Sequence, residues 1–191
     1  DGRARAGGGS SVSAWPWVRR AGCGDVVARR AEQGRSVVGI WGGYQMLCRT
    51  ILDPDGQETT PGSVVEGLGL LPVEVDFAAT KTLALSHGTW RGIEVGGYEI
   101  HHGVCRSLED AEAFLDGVLV GPVWGPLWQG PFTLDDFPPP WLAVAAGLAG
   151  SSWRPHSDEL GYQARREAMI ETLADALEAH VDVDRILHLV R

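Results

Sequence analysis

The sequence has neither a long apolar segment nor a secretion signal. No run approaches the roughly 18 consecutive apolar residues that a membrane-spanning helix needs. Residues 1–13 also lack the charged stretch followed by an apolar stretch that marks a signal peptide. These absences argue against insertion into a membrane, and we expect a cytoplasmic protein.

Clustered basic charge is also absent. The net charge is −9, and the arginines are scattered or confined to pairs such as Arg19-Arg20 and Arg165-Arg166. Because proteins that bind nucleic acids carry a clustered basic face, we expect no nucleic-acid partner. The phosphate-loop motif Gly-x-x-x-x-Gly-Lys-Ser/Thr is missing as well, so the sequence predicts no ATP site in this chain.

Cysteine is scarce in this chain. The three cysteines, Cys23, Cys48 and Cys105, are odd in number and widely spaced. This pattern indicates neither a disulfide framework nor a zinc site. We expect reduced thiols, with Cys48 in the core, and no metal site.

The composition that is present describes an ordinary folded domain. The chain has 191 residues, of which 44% are hydrophobic and 21% are charged. This length and composition suffice for one hydrophobic core. We interpret the glycine-rich residues 1–10 as a flexible leader and predict one domain over residues 11–191.

The spacing of apolar residues predicts an α/β fold. The compact run at residues 36–40 predicts a strand, followed by a sharp turn at residues 41–43 and a helix from Tyr44 to Ile51. Before residue 33, the sequence predicts two short helices between Val12 and Gln33, broken at Pro16 and at residues 22–24. It then predicts short strands from Glu74 to Val95, further strands at residues 97–103 and 117–124, and an end to regular structure at the prolines of residues 138–140. The last predicted elements are a helix from Ala164 to His180 and a tail at residues 182–190, which starts with a capping Asp and docks on the core.

Residues 36–51 have the outline of a nucleophile elbow. Such a strand, turn and helix lift one side chain into the crevice at the carboxyl end of a parallel strand. The side chain at that position is Trp41, whose indole has one N–H donor and no nucleophilic atom. Taken alone, this segment is better explained as an ordinary strand-to-helix turn with a packed tryptophan.

Several blocks together resemble the glutamine amidotransferase domain of the cobyric acid synthase family. The blocks are Val37-Val-Gly-Ile-Trp-Gly-Gly-Tyr-Gln-Met-Leu47, Gly67-Leu-Gly-Leu-Leu-Pro-Val-Glu74, Lys81-Thr-Leu83, Gly97-Tyr-Glu-Ile-His-His-Gly103, and the ending at residues 173–184. The resemblance extends from Gly7 to the C-terminus and implies a class I, flavodoxin-like open sheet with flanking helices. The family domain begins with further strands, so we expect the N-terminal strands to be truncated and apolar edges to be uncovered.

The resemblance also assigns roles to individual positions. Trp41 occupies the position of the family's nucleophilic Cys, and Gln129, within Val123-Trp-Gly-Pro-Leu-Trp-Gln-Gly130, occupies that of the general-base His. A neutral amide cannot accept the proton of a thiol. The positions that would bind the oxyanion or border the glutamine pocket are Gly42, Gly7, Gly8, Tyr44 and Gln45. By this resemblance, residues 1–10 are either the flexible leader or a remnant of the family's oxyanion loop. We therefore expect no glutaminase activity and weak binding of glutamine.

Two functional hypotheses follow from the resemblance. The first is the amidotransferase half of a cobyric acid synthase, an enzyme that amidates corrin carboxylates during cobalamin biosynthesis. Its ATP and Mg²⁺ would be used by a synthetase domain outside this chain, in cis or in trans. The second is a non-catalytic scaffold or binding domain that associates with such a synthetase. An unrelated α/β hydrolase is a third possibility, but the elbow lacks the Ser or Cys that it requires.

Other residues offer weaker alternatives. His101 and His102 are adjacent on a predicted strand, so they should point to opposite faces and cannot easily bind one metal ion. We interpret His101 as a structural histidine beside the site. Cys48 and Cys105 could in principle replace the missing nucleophile, but neither has an obvious base nearby.

Overall fold

Two open sheets and flanking helices form the part of the chain that the structure describes. A computed structural model of the protein describes residues 11–155 and 161–189. The helices are α1 (Ser11–Arg20), α2 (Cys23–Glu32), α3 (Gly42–Leu47), α4 (Pro138–Leu148), α5 (Tyr162–His180) and α6 (Val183–Leu189), with a 3₁₀ turn at Pro131–Thr133. The strands are β1 (Val37–Val38), β2 (Thr50–Asp53), β3 (Ser63–Glu66), β4 (Val73–Trp90), β5 (Ile93–Ser107), β6 (Glu112–Phe114), β7 (Gly117–Val120) and β8 (Val123–Gly125).

Both sheets are mixed. The first has the order β1-β8-β7-β6, in which only β1 and β8 are parallel. The second has the order β3-β2-β4-β5, in which β2 and β4 are parallel. Strand β1 lies at an edge of the first sheet. Val38 in this strand is 40% exposed, and Ile40 just after it is 38% exposed. The predicted α/β class with open sheets and flanking helices is confirmed.

The prediction of several short strands between Glu74 and Val95 was wrong. This region belongs to one long hairpin, in which β4 turns into β5 at Arg91 and Gly92, with φ angles of 51° and 82°. Two consecutive residues with positive φ form the turn that matches the twist of antiparallel strands. Glycines interrupt the apolar pattern, but a Cβ atom at Gly97 would lie 2.9 Å from the Gln129 carbonyl oxygen, and one at Gly88 would lie 3.1 Å from the Trp128 ring.

Two predicted helix boundaries were also wrong. Pro16 does not break α1, which runs through it from Ser11 to Arg20, and the Trp15 indole beside it donates a hydrogen bond of 2.6 Å to the Glu66 carbonyl oxygen. The helix predicted to reach Ile51 ends at Leu47, since Ile51 is instead buried in β2 between two partner strands.

The triproline at residues 138–140 was predicted to stop regular structure, but it begins α4. Proline is well tolerated in the first turn of a helix, where an N–H group would lack an intrahelical partner. The two helices predicted before residue 33, and the strands around residues 97–103 and 117–124, are confirmed.

The C-terminal helices α5 and α6 contain no buried residue. The predicted helix at residues 164–180 is confirmed as α5, and the predicted cap is confirmed by the hydrogen bond from the Arg185 amide to Asp182 Oδ1 at 3.0 Å. The tail does not dock on the core, because Ile186 and Leu187 are 50% exposed and Leu189 is 81% exposed. No residue of α5 is buried either.

The core has two parts. An aliphatic cluster lies between α3 and the second sheet and includes Leu47, Ile51, Val73, Val75 and Phe77. An aromatic cluster lies against the first sheet and comprises Trp90, Val95, Phe114, Leu119, Trp124, Phe137 and Trp141. Within the described ranges, no helix is both long and apolar enough to cross a membrane.

Candidate functional site

The predicted strand, sharp turn and helix around Trp41 are confirmed. Trp41 has φ 53° and ψ −116° and directly precedes α3. A non-glycine residue held in such a conformation costs about 1–3 kcal/mol, and this kind of strain is concentrated at functional sites. A Cβ atom added to Gly39 would lie 2.7 Å from the Gly43 carbonyl carbon. The strand end and the helix start therefore approach closely, as they do in a nucleophile elbow.

The segment that carries Gln129 runs beside this elbow. The Trp41 amide donates a hydrogen bond of 2.9 Å to the Pro126 carbonyl oxygen, which extends the parallel pairing of β1 with β8. Three residues further on, the Gln129 backbone exchanges two hydrogen bonds of 2.9 Å with Tyr98 of β5. The structure thus brings the two segments side by side. That the side chains of Trp41 and Gln129 point towards each other stays a prediction.

The other predicted site residues differ in exposure. Trp41 is 39% exposed, whereas Gly42 is buried and Tyr44 and Gln45 are 1% and 2% exposed. Their roles in binding the oxyanion or glutamine stay predictions. Gly7 and Gly8 were assigned to the second oxyanion donor loop, and they lie outside the residues that the structure describes.

Tyr44 fixes the start of α3 against strand β8. A Cβ atom at Gly125 would collide with the Tyr44 ring, so the tyrosine packs directly on the β8 backbone. Burial raises the pKa of the Tyr44 hydroxyl well above its usual range, and electrostatic interactions with Cys105, Cys48 and Asp116 act in the same direction. The phenol therefore stays neutral and serves as a packing group with a protonated hydroxyl.

Sequence reasoning missed a polar cluster on β5. The Ser86 hydroxyl donates to Glu99 Oε1, and His101 Nε2 lies 2.9 Å from Glu99 Oε2. His101 is 7% exposed, and its Nδ1 atom is buried with no hydrogen-bond partner among the described residues. The spacing of Glu99 and His101, two residues apart on a strand, was the available signal, because such residues share a face.

The cluster lies between the two predicted catalytic segments. Gly97, Glu99, His101 and Gly103 share one face of β5. A Cβ atom at Gly97 would lie 2.9 Å from the Gln129 carbonyl oxygen, and one at Gly103 would lie 2.5 Å from Gln45 Nε2. Glu99 and His101 therefore occupy the stretch between the segment of Gln129 and the helix that follows the elbow.

The predicted separation of His101 and His102 is confirmed. His102 turns away from Glu99 and places Nδ1 3.0 Å from the Ala78 carbonyl oxygen. Residues 11–155 and 161–189 contain no group of three or more His, Cys, Asp or Glu side chains that could hold a metal ion.

The two cysteines near α3 are packed together. Cys48 is completely buried, as predicted, and its thiol lies 3.2 Å from the Tyr44 carbonyl oxygen. The hydrogen bond with the Cys48 thiol, together with burial, raises the pKa of the Cys105 thiol well above its usual range. A thiol held protonated is a poor nucleophile, which argues against Cys105 as a nucleophile at this site.

Asp116 holds the segment between β8 and Gln129. Its Oδ1 atom accepts hydrogen bonds from the Leu127 and Trp128 amides at 3.0 and 3.3 Å. The residue is exposed at the β6–β7 turn, but its carboxyl group turns back under this segment. Burial of the carboxyl group raises its pKa to about 6, the charge of Glu99 adds to this rise, and the two amides partly offset it.

Comparison with known proteins agrees with this arrangement. The CobB/CobQ-like glutamine amidotransferase domain matches residues 4–122, a range that contains position 41 and ends before position 129. The chain is 86% identical over 185 residues to the cobyric acid synthase of Cutibacterium acnes, covering 97% of this chain and 38% of that protein. It is 39% identical over 182 residues to the cobyric acid synthase of Mycolicibacterium gilvum and 42% identical over 180 residues to that of Streptomyces coelicolor.

These relatives are much longer than the region that matches. The alignments cover 95% and 94% of this chain, but only 35% of the Mycolicibacterium and Streptomyces proteins. The chain thus spans between 35% and 38% of the length of these relatives, and in the Cutibacterium protein it corresponds to the C-terminal part.

Proposed function

Because this chain belongs to the CobB/CobQ-like glutamine amidotransferase family, we propose that it is the amidotransferase domain of a cobyric acid synthase and that its glutaminase centre is inactive. The family has the class I, flavodoxin-like fold, with which the open sheets and flanking helices agree. By resemblance, the whole enzyme amidates corrin carboxylates in cobalamin biosynthesis with nitrogen taken from glutamine.

The observation that carries the proposal is the side chain at the elbow. In an active relative, a thiolate attacks the carboxamide carbon, the C–N bond breaks, ammonia leaves with a proton from the base, and water then hydrolyses the thioester. Trp41 has no atom for the first step, and Gln129 has no basic atom for the proton transfer. Loss of one member of such a pair typically costs several orders of magnitude in rate.

The backbone of the elbow supports descent from an active enzyme. A tryptophan gains nothing from the positive φ angle of 53° that it adopts, whereas a nucleophile in this conformation is presented to a crevice. We infer that the scaffold has kept its geometry while the two reacting side chains have been replaced. The bulky indole also reduces the space for glutamine, so we expect weak binding of glutamine.

The first test is an assay of the unsubstituted chain for release of ammonia from glutamine. We expect no release above the rate in buffer, since neither a thiolate nor an imidazole base is available at the two positions. Turnover that disappears on Cys48→Ser or Cys105→Ser would contradict the proposal and identify a replacement nucleophile.

The second test restores both side chains. The double variant Trp41→Cys with Gln129→His should react covalently with a glutamine-analogue electrophile, and mass mapping should place the label at position 41. Trp41→Cys alone is the matched control, and it should react far more slowly because its thiol lacks a base. A folded double variant without label would contradict the assignment of the elbow and the base.

A non-catalytic scaffold that binds a synthetase is the second candidate. It is favoured by the relatives, in which about three fifths of the length lies outside the matched region. In this proposal the remaining region, in cis or in trans, uses ATP and Mg²⁺, and we assign no cofactor to the present chain. A binding assay between this chain and the unmatched region of the Cutibacterium relative tests it, and failure to bind at micromolar concentrations would contradict it.

A further inference from the structure

We propose that Asp116 is a positioning residue, which holds the backbone of residues 127–128 so that position 129 presents its side chain to the elbow. The inference rests on the proposed function, because it assigns a role within the same amidotransferase site. Asp116 belongs to none of the predicted catalytic or binding positions. Its role follows from contacts around the segment that leads from β8 to Gln129.

Four consecutive residues of this segment are held by three different parts of the fold. Pro126 accepts a hydrogen bond from the Trp41 amide of the elbow. The Leu127 and Trp128 amides donate to Asp116 Oδ1, and the Gln129 backbone pairs with Tyr98 of β5. The elbow and β5 thus fix the two ends of the segment, while the carboxylate of Asp116 fixes its middle.

The amides of Leu127 and Trp128 need this carboxylate because the strand has already ended. Strand β8 stops at Gly125, so the next amides no longer face the ladder of the sheet. Leu127 and Trp128 are buried, and buried amides without acceptors are costly. A carboxylate that accepts from two consecutive amides sets the direction of the peptide planes and therefore the direction in which the next side chain leaves the backbone.

The turn that carries Asp116 is itself held in place on both sides. Leu115 has a φ angle of 56°, a conformation that is strained for leucine, and it packs against the aromatic cluster of the core. On the other side, a Cβ atom at Gly117 would collide with the Gly125 carbonyl oxygen. The turn is therefore pressed against the end of β8, which places the carboxyl group beneath the segment.

The first experiment measures hydrogen exchange in the otherwise unsubstituted chain. Asp116→Asn should speed exchange of the Leu127 and Trp128 amides by roughly tenfold or more, because a neutral carbonyl is a weaker acceptor than a carboxylate. Asp110→Asn is the matched control, because Asp110 is an exposed aspartate in the loop between β5 and β6, and it should leave the exchange of both amides unchanged. Unchanged exchange in Asp116→Asn would overturn the inference.

A measurement without any substitution covers the case in which Asp116→Asn fails to fold. In the unsubstituted chain, the amide proton shifts of Leu127 and Trp128 should follow the protonation of a carboxyl group near its pKa of about 6. The other titratable groups beside Asp116 are Glu99 and Cys105 from β5 and Tyr44 from α3. Amide shifts that stay constant from pH 3 to 7.5 would overturn the inference.

The functional experiment adds Asp116→Asn to the double variant Trp41→Cys with Gln129→His. A positioning role predicts that the labelling rate at saturating electrophile falls by roughly tenfold, whereas the half-saturating concentration changes by less than about twofold. Asp116→Ala should lower the rate further than Asp116→Asn. If Asp116 only stabilised the fold, its substitution would lower the fraction of folded protein and leave the labelling rate of the folded protein unchanged. The labelling rates of all variants are therefore compared at equal concentrations of folded protein.

The outcomes separate this inference from the proposed function. If the double variant is folded and unlabelled, the proposed function fails whatever the exchange data show. If the double variant is labelled and Asp116→Asn is labelled equally fast, the positioning role fails while the proposed function stands. A slower labelling rate together with faster exchange of the Leu127 and Trp128 amides supports both.

Discussion

The part of the protein that surrounds the elbow and the C-terminal helices differ sharply in how their apolar residues are used. Around the elbow, Leu47, Ile51 and Trp124 are at most 3% exposed. On α5, where Leu173 and Leu177 are spaced four residues apart, both side chains are 58% exposed. The spacing of apolar residues therefore predicts a helix, but it does not tell what the helix packs against.

The point of attachment explains the difference. The Gln163 amide donates to Asp135 Oδ1 at 2.9 Å, and the Gln163 side chain donates to the Thr133 carbonyl oxygen at 3.0 Å. These contacts tie the first turn of α5 to the segment after the 3₁₀ turn. Beyond that turn, no α5 residue is buried. The elbow region should thus dominate the free energy of unfolding, and α5 should contribute little.

The largest expected effect comes from the aromatic cluster. Trp124 is completely buried, with ring centroids 5.1 Å from Phe114, 5.7 Å from Trp141 and 5.9 Å from Trp90. We expect Trp124→Ala to lower the free energy of unfolding by about 3–5 kcal/mol in chemical denaturation. Trp17→Ala is the matched control, because Trp17 is 63% exposed, and it should cost less than about 0.5 kcal/mol. Equal losses of the free energy of unfolding in Trp124→Ala and Trp17→Ala would refute the contrast between the two regions.

The buried carboxylate of Asp53 should have the next largest effect. It accepts hydrogen bonds from the backbone amides of Gln57, Glu58 and Thr59 and from the Thr59 hydroxyl. Asp53→Asn should cost about 2–3 kcal/mol, since the substituted amide turns a donor toward backbone donors. The exposed neighbour Asp55 gives the matched control Asp55→Asn, for which we expect no measurable change.

The pH dependence of this effect follows from the direction of the pKa shift. Burial raises the pKa of the Asp53 carboxyl, but the hydrogen bonds from Glu58, Gln57 and Thr59 outweigh burial and lower it overall. The stabilisation is thus complete above the unfolded pKa of about 4 and is lost as the pH falls through the lower folded pKa. If the difference in the free energy of unfolding between wild type and Asp53→Asn grows as the pH falls, the predicted direction of the pH dependence is wrong.

Asp116 should show the opposite pH dependence and a smaller effect. Its pKa of about 6 lies above the unfolded value, so the folded chain retains a proton that the unfolded chain loses. The stabilisation relative to Asp116→Asn is therefore present below about pH 4 and declines as the pH rises to about 6. We expect a change of about 1 kcal/mol, because solvent screening at an exposed residue reduces the full shift. If the difference in the free energy of unfolding between wild type and Asp116→Asn does not change between pH 4 and 6, this prediction is wrong.

The smallest expected effect lies on α5. Leu177→Ala should change the free energy of unfolding by less than about 0.5 kcal/mol, because the side chain is already 58% exposed. The matched substitution Leu47→Ala, in the core, should cost about 2–5 kcal/mol. If Leu177→Ala costs as much as Leu47→Ala in dilute solution, α5 packs on an apolar surface and the contrast between the two regions fails.

Much of the candidate site could be predicted from the sequence because it depends on local patterns. The β-branched run before Trp41 and the two glycines after it predict a strand and a tight turn, and both are present. The alternation at residues 97–103 placed His101 and His102 on opposite faces, as the structure confirms. These features depend on the periods of strands and helices, which short sequence windows reveal.

Contacts between distant segments could not be predicted in the same way. The sequence predicted short strands from Glu74 to Val95, yet the structure has one long hairpin whose glycines at positions 88 and 97 lie close to residues 128 and 129. The acceptor for the Leu127 and Trp128 amides comes from Asp116, a residue in a different turn. Each contact depends on strand pairing, which local composition does not specify.

The family and the strand, turn and helix at Trp41 were therefore decided by the linear order of residues, and the assignment of the nucleophile and base positions to Trp41 and Gln129 stays a prediction from that order. The tertiary structure alone decided that the segment carrying Gln129 hydrogen-bonds to the elbow, that Glu99 and His101 lie between the two, and that α5 is exposed. The reason is that local propensity acts over a few residues, whereas burial and hydrogen-bond pairing are settled between residues far apart in the chain.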